Sequence, residues 1–92
     1  MTYTVTMTRS ATKALEALDK PTRRRVWARI RALADDPRPR GVKALSQPLK
    51  GYYRLRVGQY RVVYAVDDRE ALVRVGRLGT RRSIHDEVER AE

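Results

Sequence analysis

Residues 52–64, Tyr-Tyr-Arg-Leu-Arg-Val-Gly-Gln-Tyr-Arg-Val-Val-Tyr, set Arg54, Arg56 and Arg61 among tyrosines and valines around a Gly58-Gln59 pair. A guanidinium is a planar, permanently charged fork that matches the oxygens of a phosphate. Three of them converging would hold an anion and stabilise negative charge building on it. Arginine is a poor proton acceptor at neutral pH, so chemistry at such a site needs another group to move a proton. His85 is the single histidine, and an unperturbed pKa of about 6.5 suits that task. By spacing alone it reads as a surface histidine beside Asp86 on a C-terminal turn.

Whether the arginines converge depends on register. Gly-X between two strands favours a two-residue type II′ turn. With Gly58-Gln59 as that turn, Val57 pairs with Tyr60, Arg56 with Arg61, Leu55 with Val62, Arg54 with Val63 and Tyr53 with Tyr64. Side chains alternate faces along a strand. One face then carries Tyr53, Leu55, Val57, Tyr60, Val62, Tyr64 and Val66, an apolar core surface. The other carries Tyr52, Arg54, Arg56, Arg61 and Val63, with Gly76 of the next strand expected near Arg61. Like charges directly opposite one another destabilise a sheet, which a bound anion would relieve. Tyr52 is the tyrosine placed to stack on a base, whereas Tyr60 and Tyr64 belong to the core.

The remaining elements must present this hairpin. Residues 3–7 alternate as a strand. Ser10 is placed to cap a helix with Ala11, Ala14, Leu15 and Leu18 at helical spacing. Pro21 suits the first turn of a second helix, whose stripe Val26, Trp27, Ile30, Leu33 and Ala34 reads as core. Asp35 to Gly41 ends that helix, so residues 10–35 form a helical hairpin. The segment 42–51 reads as irregular. Strands follow over 52–57, 60–66 and 71–78, with Asp67-Asp68-Arg69-Glu70 as a polar turn. Residues 83–92 are polar and form a last helical turn or fray. The expected class is α+β, an antiparallel β-sheet with a helical hairpin packed on one face, in the order β-α-α-β-β-β and as one domain over residues 1–92.

Composition narrows the function classes. Twenty-one Lys and Arg against eleven Asp and Glu give a net charge of +10, most of it arginine, so the chain calls for an anionic partner. Hydrophobic residues make up 41%, enough for a globular core rather than a disordered chain. No apolar run approaches the roughly 20 residues of a membrane span, and no signal-peptide pattern opens the chain, so a cytoplasmic location is expected. The absence of cysteine removes disulfides and thiolate metal sites from consideration. Arg23, Arg24, Arg25, Arg29 and Arg31 spread around the second helix as a solvated face, and Asp86, Glu87 and Glu89 form an acidic end that would pair with it.

The chain resembles the RelE/ParE superfamily of bacterial toxins from type II toxin–antitoxin systems, and within it the RelE branch. The resemblance runs over nearly the whole chain: Tyr3-Thr4-Val5, the first helix with Lys13, Asp36-Pro37, Lys43-Ala44-Leu45, Leu49-Lys50-Gly51, residues 53–64, and Gly79 to His85. It implies a RelE-like fold and a metal-independent, cofactor-free endoribonuclease that cuts mRNA in the ribosomal A site. The ribose 2′-OH attacks the adjacent phosphate, leaving a 2′,3′-cyclic phosphate and a 5′-OH. Implied catalytic residues are Arg61, Arg81, Arg56 and His85, and implied RNA-binding residues are Arg54, Tyr52, Arg82 and Lys50. Arg61 matches the arginine of the family's GxYR block, and Arg81 the arginine after the last strand. His85 falls where many relatives carry a tyrosine, and Arg54 and Arg56 where several carry lysine. The implied partners are a cognate antitoxin with an acidic or amphipathic segment, the ribosome and mRNA, with no membrane and with DNA reached only through the antitoxin complex. Two other readings stay open: a ParE-type inhibitor of DNA gyrase, and a weakly active member acting mainly through antitoxin binding.

Overall fold

A computed structural model describes residues 2–47, 49–80 and 82. The chain forms β1 (Thr4–Met7), α1 (Arg9–Glu16), α2 (Lys20–Ala32), β2 (Lys43–Ala44), β3 (Tyr52–Val57), β4 (Tyr60–Asp67) and β5 (Leu72–Thr80). The strands make one five-stranded sheet in the order β1-β5-β4-β3-β2. β2 to β5 pair antiparallel, and β1 joins the β5 edge in parallel, so the sheet is mixed. The expected α+β architecture is present. β2 is an addition, lying inside the segment read as irregular.

The helices start from local chemistry. α1 is capped by Thr8 rather than Ser10: the Thr8 hydroxyl oxygen accepts from the Ala11 amide at 3.2 Å. The same hydroxyl donates to the Gly76 carbonyl at 2.9 Å, and the Thr8 amide to Val75 at 2.9 Å. A bond to β5 thus decides between two residues equally suited to cap. Asp19 caps α2 by accepting from the Thr22 amide at 3.3 Å, and Pro21 follows in the first turn, where a missing amide proton is harmless. The Thr22 hydrogen bonds hold the Asp19 carboxyl below its usual range.

The core lies between the helices and one sheet face. Ala11 and Leu15 of α1, Val26 and Ile30 of α2, and Leu33 just beyond it meet Leu55, Val57, Val62, Tyr64, Val73, Val75 and Leu78. Trp27 does not join them. It is 39% exposed, because the buried side of α2 centres on Val26, Ile30 and Leu33 and Trp27 stands at its margin. No helix among the described residues is long and apolar enough to cross a membrane.

Candidate functional site

The β3–β4 hairpin has the expected register. Val57 pairs with Tyr60, Arg56 with Arg61, Leu55 with Val62, Arg54 with Val63, and Tyr53 with Tyr64. Gly58 has φ +59° while Gln59 keeps a negative φ, as a type II′ turn requires. A two-residue turn closes on a hydrogen-bonded pair, so Arg56 and Arg61 form the next, non-hydrogen-bonded pair. Such pairs bring the backbones to about 4.5 Å and the side chains closest together.

Both faces follow from that register. Leu55, Val57, Val62 and Tyr64 are buried in the core, with Tyr53, Tyr60 and Val66 packed against it. The opposite face, turned away from the helices, is arranged in cross-strand rows. Nearest the turn, Arg56, Arg61 and Gly79 stand side by side. The next row is Lys43, Arg54, Val63 and Arg77, and the third is Tyr52, Ala65, Arg74 and Thr6. Arg61 is only 6% exposed, Arg54 is half-buried, and Arg56 and Tyr52 are exposed. Lys50 lies exposed in the turn that leads into β3, and Arg82 is exposed beyond β5. Arg81, His85 and the acidic end at Asp86, Glu87 and Glu89 lie outside the described residues.

The glycine beside Arg61 is Gly79, not Gly76. Val63 pairs with Arg77 but Tyr64 with Val75, so Gly76 is the extra residue of a β-bulge. The bulge explains how Arg74 and Arg77, three residues apart, share one face. Their odd spacing around a glycine is the sequence signal that points to it. Gly79 itself contributes no side chain on the β5 side of Arg61. Lys43, Arg74, Arg77 and Gly79 are thus members of the face that residue-by-residue reading did not assign to it.

Electrostatics define what the face can do. The two rows nearest the turn hold five basic side chains and no carboxylate. Burial strengthens the pull of Arg61 on an anion: at about 4 Å, two unit charges interact by roughly 4 kcal/mol at an effective dielectric near 20, against about 1 in water. The arrangement can hold phosphate oxygens and stabilise charge growing on them. Among the described residues, no three His, Cys, Asp or Glu side chains gather to hold a metal ion.

A second arginine site lies at the other end of the hairpin. Arg38, in the loop after α2, grips Asp68 with Nη1 to Oδ1 at 3.1 Å and Nη2 to Oδ2 at 2.8 Å. Its Nε donates to the Tyr53 hydroxyl at 2.8 Å, and the Tyr3 hydroxyl donates to Asp68 Oδ1 at 2.6 Å. The Arg38 and Tyr3 hydrogen bonds hold the Asp68 carboxyl below its usual range. The Asp68 carboxylate in turn raises the Arg38 guanidinium and the Tyr3 phenol above theirs. Beneath this clasp Tyr53 stacks on Tyr64, ring centroids 5.7 Å apart, and the Tyr64 hydroxyl donates to the Pro37 carbonyl at 2.8 Å. Burial pushes the Tyr64 phenol up to about 12.

Comparison with known proteins places this architecture. Residues 5–85 match the model of the ParE toxin of type II toxin–antitoxin systems, parDE. The toxin–antitoxin complex RelBE2 of Mycobacterium tuberculosis contains a chain 30% identical, with a TM-score of 0.78 over 88% of this chain and 93% of that one. The archaeal RelE–RelB complex of Pyrococcus horikoshii contains one 31% identical, with a TM-score of 0.74 over 88% and 97%. A YoeB/ParE toxin of Agrobacterium tumefaciens, 19% identical with a TM-score of 0.73 over 84% and 96%, shares the fold. No curated protein matches the chain. Relatives of both branches are therefore similar to it, and the RelE branch is not set apart from the ParE one. The chain belongs to the ParE toxin family of type II toxin–antitoxin systems, within the RelE/ParE superfamily.

Proposed function

We propose that this toxin is a ribosome-dependent mRNA endoribonuclease that blocks translation without a metal. The observation that carries the reading is the Arg56–Arg61 pair on the sheet face away from the helices, with Arg61 buried and paired to Gly79, which has no side chain, on its other side. In the proposed reaction the 2′-oxygen attacks phosphorus, the bond from phosphorus to the 5′-oxygen breaks, and a 2′,3′-cyclic phosphate and a 5′-OH form. One proton leaves the 2′-OH and one reaches the departing 5′-oxygen. Arg61, Arg56 and Arg81 stabilise the charge on the pentacoordinate phosphorus, and His85 carries one proton transfer as acid or base. Arg54, Tyr52, Lys50 and Arg82 bind RNA around the cut. The partner that neutralises the toxin is an antitoxin with an acidic or amphipathic segment, complementary to the +10 chain. Solved relatives at 30–31% identity come from RelBE2 and RelE–RelB complexes, which supports an antitoxin partner and a RelE-type action.

The match to a ParE model favours a second reading, inhibition of DNA gyrase with mRNA left intact. Inducing the toxin and mapping RNA 5′ ends, with a supercoiling assay in parallel, separates the two. Cuts at fixed positions within codons on ribosome-bound mRNA, lost in the His85→Ala variant, are the expected result. Gyrase arrest with uncut mRNA overturns the ribonuclease reading.

A further inference from the structure

Trp27 is the one large apolar side chain of α2 that the core leaves out, and its surroundings are cationic. Lys20, Arg23, Arg24, Arg25, Arg29 and Arg31 share the helix with it, and no Asp or Glu does. Lys20, Arg24, Trp27 and Arg31, all exposed, follow at steps of four, three and four residues. They therefore form a single line down the helix, about 16 Å long, with the indole between two arginines. That line runs against local preference. Lys20 with Arg24, and Arg25 with Arg29, are like charges four apart, which repel on a helix surface. Lys20 and Arg23 also lie in the first turn, where the positive end of the helix dipole disfavours cations. Asp19, the acid at that end, is engaged as the cap. Among the described residues no carboxylate forms a salt bridge with α2; the one salt bridge there joins Arg38 to Asp68.

We infer that α2 docks an acidic amphipathic helix of a partner protein, with an aliphatic side chain packed on Trp27 and carboxylates paired with Lys20, Arg24 and Arg31. The inference rests on the reading of an antitoxin with an acidic or amphipathic segment. It gives that segment a place on the helical side of the molecule, away from the Arg56–Arg61 pair. Three features favour a protein helix over RNA. A run of phosphates would use the cations and leave the indole in water, whereas an amphipathic helix covers both. The steps of four and three match the anchors that one helix presents to another. Trp27 is 39% exposed and thus more than half covered within the chain, which suits an aliphatic contact more than a base needing a whole ring face. Tryptophan and arginine are also the residue types on which protein interfaces most often depend.

The test uses the full chain, whose single tryptophan makes Trp27 its own reporter. The probe is a labelled synthetic helical peptide without aromatic residues, with leucines along one face and glutamates flanking them. Binding is expected to shift Trp27 emission to the blue and to protect it from acrylamide. Trp27→Ala, followed by peptide anisotropy, should weaken binding at least about tenfold, keep the wild-type circular dichroism and leave ribosome-dependent cleavage unchanged. Arg24→Gln/Arg31→Gln should weaken it strongly at low salt and less at high salt. If an oligoglutamate without leucines binds as tightly, with no shift in emission, the surface reads charge alone and the proposal fails. It fails equally if an RNA hairpin displaces the peptide and Trp27→Ala weakens neither ligand. If Asp86→Asn/Glu87→Gln/Glu89→Gln shifts Trp27 emission to the red with no peptide present, the chain's own acidic end is the occupant instead. If Arg54→Gln/Arg56→Gln abolishes peptide binding and Trp27→Ala does not, the place is wrong while the acidic partner stands. If the wild type binds no acidic peptide, the acidic-partner reading falls as well.

Discussion

Two arginine sites stand at opposite ends of one hairpin, and they are built in opposite ways. Arg38 has its anion supplied by the chain: Asp68 takes both terminal nitrogens, and Tyr53 takes Nε. Near the turn, Arg56 faces another arginine, and its row and the next contain no carboxylate. The first site tethers the loop after α2 to the sheet. The second accepts electrostatic strain where a glutamate opposite Arg56 would relieve it. An arginine gripped by a carboxylate is a structural fastener, whereas two arginines set opposite each other on one sheet face are suited to sharing an anion. The contrast separates an arginine that serves the fold from those proposed to serve a partner, which overall charge does not.

Substitutions should divide along that line, beginning with activity. Arg61→Gln should cut ribosome-dependent cleavage by about 100- to 1000-fold, the usual effect of removing one donor to a developing oxyanion, while a cooperative thermal transition remains. Cleavage that survives this change would erase the distinction between the two sites. Next in size is Tyr64→Phe beneath the clasp, which leaves the Pro37 carbonyl without its donor. It should lower stability by about 1–3 kcal/mol in urea unfolding and leave RNA binding unchanged. The same variant has a signature in pH. With its folded pKa raised to about 12, Tyr64 adds stability that is full below its usual 10 and fades as pH climbs through 12. Tyr64→Phe should remove that alkaline component, whereas Arg61→Gln should retain it.

A smaller effect has the more telling sign. Arg56→Glu replaces repulsion across the hairpin with attraction, and should stabilise the fold by about 0.2–1 kcal/mol while abolishing RNA binding. Destabilisation by this change would mean that the Arg56–Arg61 pair serves folding after all. The slightest effect belongs to the clasp surface. Asp68→Asn should weaken the fold a little at low salt and hardly at all near 1 M, since the Arg38 pair is exposed. Because the folded Asp68 pKa lies below its usual 3.8, its contribution is present above that pH and disappears as acid protonates the folded carboxyl. Acid titration of Asp68→Asn should lack that component.

The hairpin and its arginine face were legible in the sequence because Gly58-Gln59 dictates a register and alternation then assigns every side chain. What failed had non-local causes. Thr8 and Ser10 are equally good caps until Thr8 meets Gly76 across the molecule. Helical spacing revealed which stripe of α2 is apolar but not how wide the buried part is, so Trp27 was expected inside and stands outside. A single bulge moved the glycine next to Arg61 from position 76 to 79, because one extra residue shifts all later pairings. The Arg38–Asp68 clasp joins residues 30 apart in sequence, and no periodicity announces such a pair.

The parallel pairing of β1 with β5 also sets an order of assembly. Thr4–Met7 find their partners at Leu72–Val75, so β1 waits for β5. The β3–β4 hairpin needs only neighbouring residues and can close within about 1–10 μs. β1 must instead close a long loop, the slow step for a non-local topology. While the chain is being made, the Arg56–Arg61 pair therefore takes its place before the β1 edge of the sheet can form. A chain interrupted before residue 72 can carry the paired arginines, but it lacks the strand that completes the fold.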